Sequence, residues 1–405
     1  MNYYSIYKIG KVISRDDFFN QRLQAASWVH WTEFVNYVVT GKYDSIFPLH
    51  IELCSTYKCN FNCPWCNCRK SRFHTDNIKI ELNFNELKRI LNDCKIHDIG
   101  IQWTGGEPLS NPATIQGINY GSKLELKQCL FTNGSLLDEN IINEILLSNL
   151  EFVRISLNCA DPAYHSKFHG NISPTLSQTV LSNIEKLCRY KLAVASKVKI
   201  GISVVIDSNN IDDLLNTYKF IENIAICYPF ALNFIVIRAV NDDFEGIETE
   251  KKQGFLSKYN TTINMLNTKK ISSFGIETIF PNEVQLDYDT SRGTQYGCSV
   301  FSEISPDGSM FLCSDKYGNK AFSIGNVLSD SITSIWNSSR KSEIQKRYSD
   351  CFSSGRCPHF SRGWYFNMIF SQIEEYRCIG QMHIVEEWIQ SLKKTVPCYN
   401  HSFYI

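Results

Sequence analysis

The chain has no charge excess: 41 Lys and Arg balance 41 Asp and Glu over 405 residues. A balanced chain builds no long-range field to recruit nucleic acid or an anionic membrane, so no polyanionic partner is expected. It also lacks an unbroken apolar run of about eighteen residues, the length a helix needs to cross a bilayer. Met1 to Lys11 contains no apolar core of the kind a cleavable signal requires. A cytoplasmic setting without membrane contact is the expectation. By length, one large domain and one smaller one are expected.

Cysteine, by contrast, is plentiful, with 16 in the chain. In a reducing compartment such thiols are free to bind metal. Cys59, Cys63 and Cys66 lie in Cys-Asn-Phe-Asn-Cys-Pro-Trp-Cys, with three and then two residues between them, directly after an extended apolar run. Thiolates are soft ligands suited to iron in a sulfur-bridged cluster, and three on one loop can each hold one iron of a cubane. The fourth iron is then left for an outside ligand, as a catalytic metal site keeps one position open. The alternative is a zinc knuckle, which Cys54 or Cys68 would have to complete.

Runs rich in Val, Ile and Phe predict strands over 48–55, 99–104, 128–132, 153–158, 198–206 and 232–240. Helical spacing fills the gaps at 82–94 and 137–148, Ser173-Pro174 opens a third helix as cap and first residue, and 210–226 reads as a fourth. Strands separated by helices of this length imply parallel crossover units. Polar residues gather at the predicted strand ends: Gly105-Gly106-Glu107-Pro108, Thr132-Asn133, Ser156 with Asn158, and Arg238. Glycines let a backbone approach a ligand, and a carboxylate beside exposed carbonyls can hold an ammonium group.

This order of motifs resembles the radical S-adenosylmethionine superfamily, whose signature is the same cysteine spacing with an aromatic residue, here Trp65, before the last cysteine. The resemblance implies an α/β fold, a partial (β/α)6 barrel whose cluster loop leaves the first strand, with chemistry at the carboxyl ends of the strands. It implies a [4Fe-4S] cluster on Cys59, Cys63 and Cys66 that chelates S-adenosylmethionine through its open iron and yields a 5'-deoxyadenosyl radical. By the same resemblance Trp65, Gly105, Gly106, Glu107, Pro108, Thr132, Asn133, Ser156, Asn158 and Arg238 are expected around that cofactor. A flavodoxin- or ferredoxin-type reductant is implied as partner.

The last third changes character. Cys298 and Cys313 bracket a predicted hairpin that turns at Pro306-Asp307-Gly308, followed by Ile324-Gly325-Asn326-Val327 and Ile335-Trp336. This resembles the SPASM and twitch extensions, which carry auxiliary [4Fe-4S] clusters. Cys351 and Cys357 keep one family spacing, but Tyr348 and Ser361 stand where two further cysteines would be. One auxiliary cluster on Cys298, Cys313, Cys351 and Cys357 is therefore expected, with Cys378 as a rival ligand and Cys398 a thiol near the terminus. The expected domains are a helical extension over 1–47, the barrel over 48–245, a bridge over 246–290 and a hairpin-plus-helix cluster domain over 291–405.

Cys94, Cys129, Cys188 and Cys227 are expected in core packing. Cys159, at a strand end, is a candidate hydrogen donor to a substrate radical, and the nearby Asp161, Tyr164, His165, Lys167 and His169 form a polar cluster that reads as a solvated loop, with substrate contact as the alternative. The substrate is open between a ribosomal peptide, oxidised by crosslinking or dehydrogenation, and a sugar or aminocyclitol that is dehydrogenated or epimerised. Residues 1–47 are too short for a winged-helix leader-binding domain, so leader capture would fall to a separate protein or another surface. The non-enzyme alternative is an iron-sulfur electron-transfer or sensing module.

Overall fold

The computed structural model describes residues 39–42, 46–66, 79–239, 300–313, 316–348 and 373–387, with 254, 257–258, 261–262, 277–279 and 370 besides. The expected amino-terminal helices over 1–38, Cys68, most of the bridge, Cys298, Cys351, Cys357 and Cys398 lie outside the described residues. Two compact units divide the chain: Met1–Leu53 with Arg89–Gln102 and Gln285–Ile405, and Cys54–Lys88 with Trp103–Val284.

The chain alternates strand and helix from β1 (His50–Cys54) through α1 (Phe84–Ile96), β2 (Gly100–Thr104), α2 (Pro112–Lys123), β3 (Gln128–Thr132), α3 (Glu139–Leu147) and β4 (Leu150–Ser156). It continues through α4 (Pro162–Phe168), α5 (Pro174–Ala193), β5 (Lys199–Ile206), α6 (Leu214–Cys227) and β6 (Leu232–Ala239). Six strands with helical crossovers make the partial (β/α)6 barrel that the motif order implied. A short strand, β7 (Glu277–Ile279), pairs parallel to β6.

Within the second unit, β3 to β6 are parallel neighbours in a register that sets Thr132 against Ile155, Ser156 against Ser203 and Val205 against Arg238. Parallel strands covered by helices are buried on both faces, which is why β5 reads as a nearly continuous apolar run. The core has little slack. Gly201 on β5 faces Phe234 so closely that a Cβ there would come within 2.0 Å of the ring, and Phe234 packs edge-on against Phe152 with centroids 5.4 Å apart. Gly201→Ala is expected to cost about 2–3 kcal/mol, read as a lowered thermal midpoint.

In the first unit, β1 pairs parallel to β8 (Phe301–Ile304) from His50 opposite Phe301 to Leu53 opposite Ile304. β8 turns into β9 (Ser309–Phe311) through the expected hairpin, where Gly308 takes the left-handed φ of 83° that the turn needs. β10 (Gly325–Asn326) joins β9 antiparallel, and α7 (Ile332–Trp336) and α8 (Ser339–Arg347) follow. Trp336 Nε1 donates to the Ile46 carbonyl at 2.8 Å, and the Ile332 amide to Asp93 at 3.0 Å.

Helix starts follow cap chemistry. Ser173 accepts from Thr175 N with Pro174 in the first turn, as the sequence predicts. Asn111-Pro112 and Asp161-Pro162 open α2 and α4 in the same way. The predicted helix from Asn210 instead begins with a 3₁₀ turn over Ile211–Asp213 before α6.

Candidate functional site

The three cysteines leave β1 on a loop whose first turn is locked to the Gly-Gly-Glu segment. Gly106 N donates to the Thr56 carbonyl at 2.8 Å and Glu107 N to the Lys58 carbonyl at 2.7 Å. A Cβ on Gly105 would meet Cys54 Sγ and the Thr56 oxygen at 2.6 Å. The close approach of these glycines is therefore to the chain's own backbone, a use the sequence did not suggest. Cys54 is buried and donates its thiol to Thr56 O at 3.2 Å.

Two braces hold the loop. On one side Glu107, 1% exposed, gathers the end of β3: Thr132 Oγ1 donates to Oε1 at 2.7 Å, Asn133 N to Oε2 at 2.7 Å and Leu109 N to Oε1 at 3.1 Å. Asn133 Nδ2 in turn donates to Asn60 Oδ1 at 2.9 Å, and Asn60 Nδ2 to Ser135 Oγ at 2.8 Å. Glu107, Thr132 and Asn133 are thus brought together with a residue of the cysteine loop. Burial pushes the Glu107 carboxyl up to about 7 against the opposing pull of its three donors.

On the other side the loop rests on the carboxyl end of α4. Asn62 N donates to the His169 carbonyl at 3.1 Å, Trp65 Nε1 to the Phe168 carbonyl at 3.2 Å, and Cys63 Sγ lies 3.0 Å from His169 Nδ1. Phe61 and Trp65 pack against the His169 ring at 4.9 and 5.9 Å between centroids. The segment read as a solvated loop is therefore a short helix with His165 and His169 both 1% exposed. Asn60 and Ser135 escaped the sequence reading, and His169 was named only as part of a solvated loop; the pair Asp161-Pro162, a helix cap followed by its first residue, was the signal available for α4.

Asn158 is buried in the left-handed conformation, φ 59°, and accepts from Val205 N at 2.8 Å. Ser156 is half-buried at the end of β4. Arg238 stands opposite Val205 on β6, and its side chain lies outside the described set. Cys159 is fully buried, with its thiol bonded to Asn210 and raised by desolvation.

Cys59 and Cys66 are partly exposed, and Cys63 is buried at the anchored base of the loop. Among the described residues no three His, Cys, Asp or Glu converge closely enough to hold one metal ion. A cubane takes one thiolate per iron, and the three soft donors of this one loop fit that group. Cys94, Cys129 and Cys188 are buried thiols held protonated by desolvation, Cys188 at about 12. Cys227 departs from the core-packing expectation, since it is exposed at the end of α6. In the first unit Cys313 is half-buried just after β9 and Cys378 is exposed. No helix among the described residues is long and apolar enough to cross a membrane.

Residues 53–221 match the radical SAM superfamily model, and residues 298–358 match that of SPASM, an iron-sulfur cluster-binding domain. The GTP 3',8-cyclase of Clostridium perfringens (strain SM101 / Type A) is 26% identical over 230 residues, which are 55% of this chain and 66% of that protein. The antilisterial bacteriocin subtilosin biosynthesis protein AlbA of Bacillus subtilis (strain 168) is 24% identical over 328 residues, 79% of this chain and 67% of that one. Among solved structures, Streptococcus suis SuiB bound to precursor peptide SuiA matches with a TM-score of 0.54 at 15% identity, covering 78% of this chain and 71% of that chain, a likeness of fold. The cysteine loop and the Gly-Gly-Glu clamp lie in the segment that matches the radical SAM superfamily model, and the carboxyl-terminal hairpin lies in the segment that matches the SPASM iron-sulfur model.

Proposed function

We propose that this chain oxidatively modifies a ribosomal peptide, by crosslinking or dehydrogenation, with Cys59, Cys63 and Cys66 as ligands of its catalytic cluster. When bound, a reduced [4Fe-4S] cluster with S-adenosylmethionine on its open iron supplies a one-electron cleavage to a 5'-deoxyadenosyl radical able to remove a substrate hydrogen atom. The observation that supports the reading is the double brace on the cysteine loop, through Asn60 to Glu107 and through Cys63 to His169, with Cys59 and Cys66 partly exposed.

In this reading Glu107 orders Thr132 and Asn133 beside the loop, and the half-buried backbone of Gly105 and Gly106 offers carbonyls to an ammonium group, while the Pro108 carbonyl accepts from Asn111 N and Thr114 Oγ1 and closes the turn behind them. Ser156 and Arg238 are the candidates for the ribose and carboxylate of the cofactor, with Trp65 flanking the adenosyl end; Asn158, expected there too, is buried with its amide held between Val205 N and the His169 ring. Cys298, Cys313, Cys351 and Cys357 would hold one auxiliary cluster, with Cys378 as the rival ligand, to receive the surplus electron of an oxidation. A flavodoxin- or ferredoxin-type protein would supply the first electron. The peptide class is supported by likeness to a protein of subtilosin biosynthesis and, in fold, to SuiB with its precursor peptide.

Anaerobic protein reconstituted with iron and sulfide, given S-adenosylmethionine, dithionite and a precursor peptide encoded beside its gene, is expected to release 5'-deoxyadenosine and return a peptide lighter by two hydrogens. Turnover that requires a sugar or aminocyclitol instead, with the peptide unchanged, would replace the substrate assignment.

A further inference from the structure

His169 joins two strand ends to the cysteine loop. Its Nδ1 lies 3.0 Å from Cys63 Sγ and its Nε2 lies 3.3 Å from Asn158 Nδ2. The Asn158 amide is oriented independently, because Oδ1 accepts from Val205 N at 2.8 Å and a flipped amide would set NH₂ against that N–H. The NH₂ group therefore faces the ring and makes Nε2 an acceptor. An imidazole whose Nε2 accepts a hydrogen bond is neutral and carries one proton. With Nε2 accepting, that proton sits on Nδ1. The Leu157 carbonyl is a further acceptor beside the ring.

We infer that His169 is a positioning residue that donates from Nδ1 to the sulfur of Cys63, with its tautomer set from the β5 backbone through Asn158. The inference rests on Cys63 ligating the cluster. A thiolate on iron has no proton to give, so only the Nδ1–H tautomer can bond it. A hydrogen bond to a ligating sulfur takes up part of the charge gained on reduction and raises the reduction potential. The residue thereby links the register of β5 to the ease with which the cluster is reduced.

Redox titration of the reconstituted cluster, followed by electron paramagnetic resonance, tests this. His169→Leu is expected to shift the potential to a more negative value at unchanged iron content. His169→Asn, whose amide can place an N–H where Nδ1 stands, is expected to recover most of that shift. Equal potentials in wild type and His169→Leu would overturn the inference. Should the leucine variant fail to fold or load, ring ¹⁵N spectra of full-length wild-type protein before iron loading decide it. A protonated Nδ1 with an unprotonated Nε2 supports the inference, and the reverse overturns it. Wild-type protein that takes up no iron on the loop would instead fail the cluster reading, and the ring spectra would still report the tautomer.

Discussion

Gly106→Ala is expected to lower stability by about 3 kcal/mol or more and to strip iron from the cysteine loop. A Cβ at this position would stand 2.1 Å from the Lys58 carbonyl oxygen and 2.6 Å from its carbon. Both are backbone atoms of the residue next to Cys59, and the same oxygen already accepts from Glu107 N at 2.7 Å. Relief by a side-chain rotation is therefore closed. The neighbouring Gly105 is fixed at φ 133°, a conformation L residues rarely adopt, so the turn cannot swing away as a unit. Relaxation has to displace the start of the loop, and with it the first ligand. Urea unfolding and iron content after reconstitution check both parts, and a variant with wild-type values in each would show that the turn does not set the loop.

The second large effect is a pH dependence centred on Glu107. Its carboxyl is raised from 4.5 to about 7 by burial, so the folded protein binds the proton more tightly than the unfolded chain. The resulting contribution to stability is complete below about pH 4.5, is lost as pH rises, and has gone above about pH 7. A shift of this size is worth about 3 kcal/mol. Glu107→Gln is expected to flatten that slope, because an amide does not titrate in this range. It also carries a cost of about 2 kcal/mol, since either orientation of the amide sets an N–H against the backbone N–H of Leu109 or Asn133. Urea midpoints of both proteins between pH 4.5 and 8 read the two effects, and parallel profiles would contradict the assignment.

Much of the barrel was legible because its signals are local. β5 and β6 announce themselves as β-branched runs, α1 and α3 as apolar residues at helical spacing, and α5 through Ser173-Pro174. α2 was passed over because Gly117 and Gly121 weaken its pattern; both are kept small by Trp103 and Gln128, which a Cβ would meet at 2.5 and 2.4 Å. That is a tertiary reason and leaves no trace in the local sequence.

The site divides in the same way. Cys59, Cys63 and Cys66 could be read from spacing alone, since one loop supplies them. Glu107 was visible as a residue of the motif, but its bonds to Thr132 and Asn133 come from the packing of a turn against a strand end. His169 was hidden most completely. Between Phe168 and Gly170 it looks like a surface residue, and only the fold carries it beneath the cysteine loop. There Gly170, whose Cβ would meet the Asn62 oxygen at 2.2 Å, lets the two segments close.

Electron paramagnetic resonance of the anaerobically reconstituted and reduced protein, with and without S-adenosylmethionine, tests the central claim most directly. Three cysteines that leave one iron unliganded predict a [4Fe-4S] signal that changes when the compound is added and that disappears from the loop in Cys63→Ala. A signal indifferent to S-adenosylmethionine, or zinc bound by Cys59, Cys63 and Cys66, would contradict it.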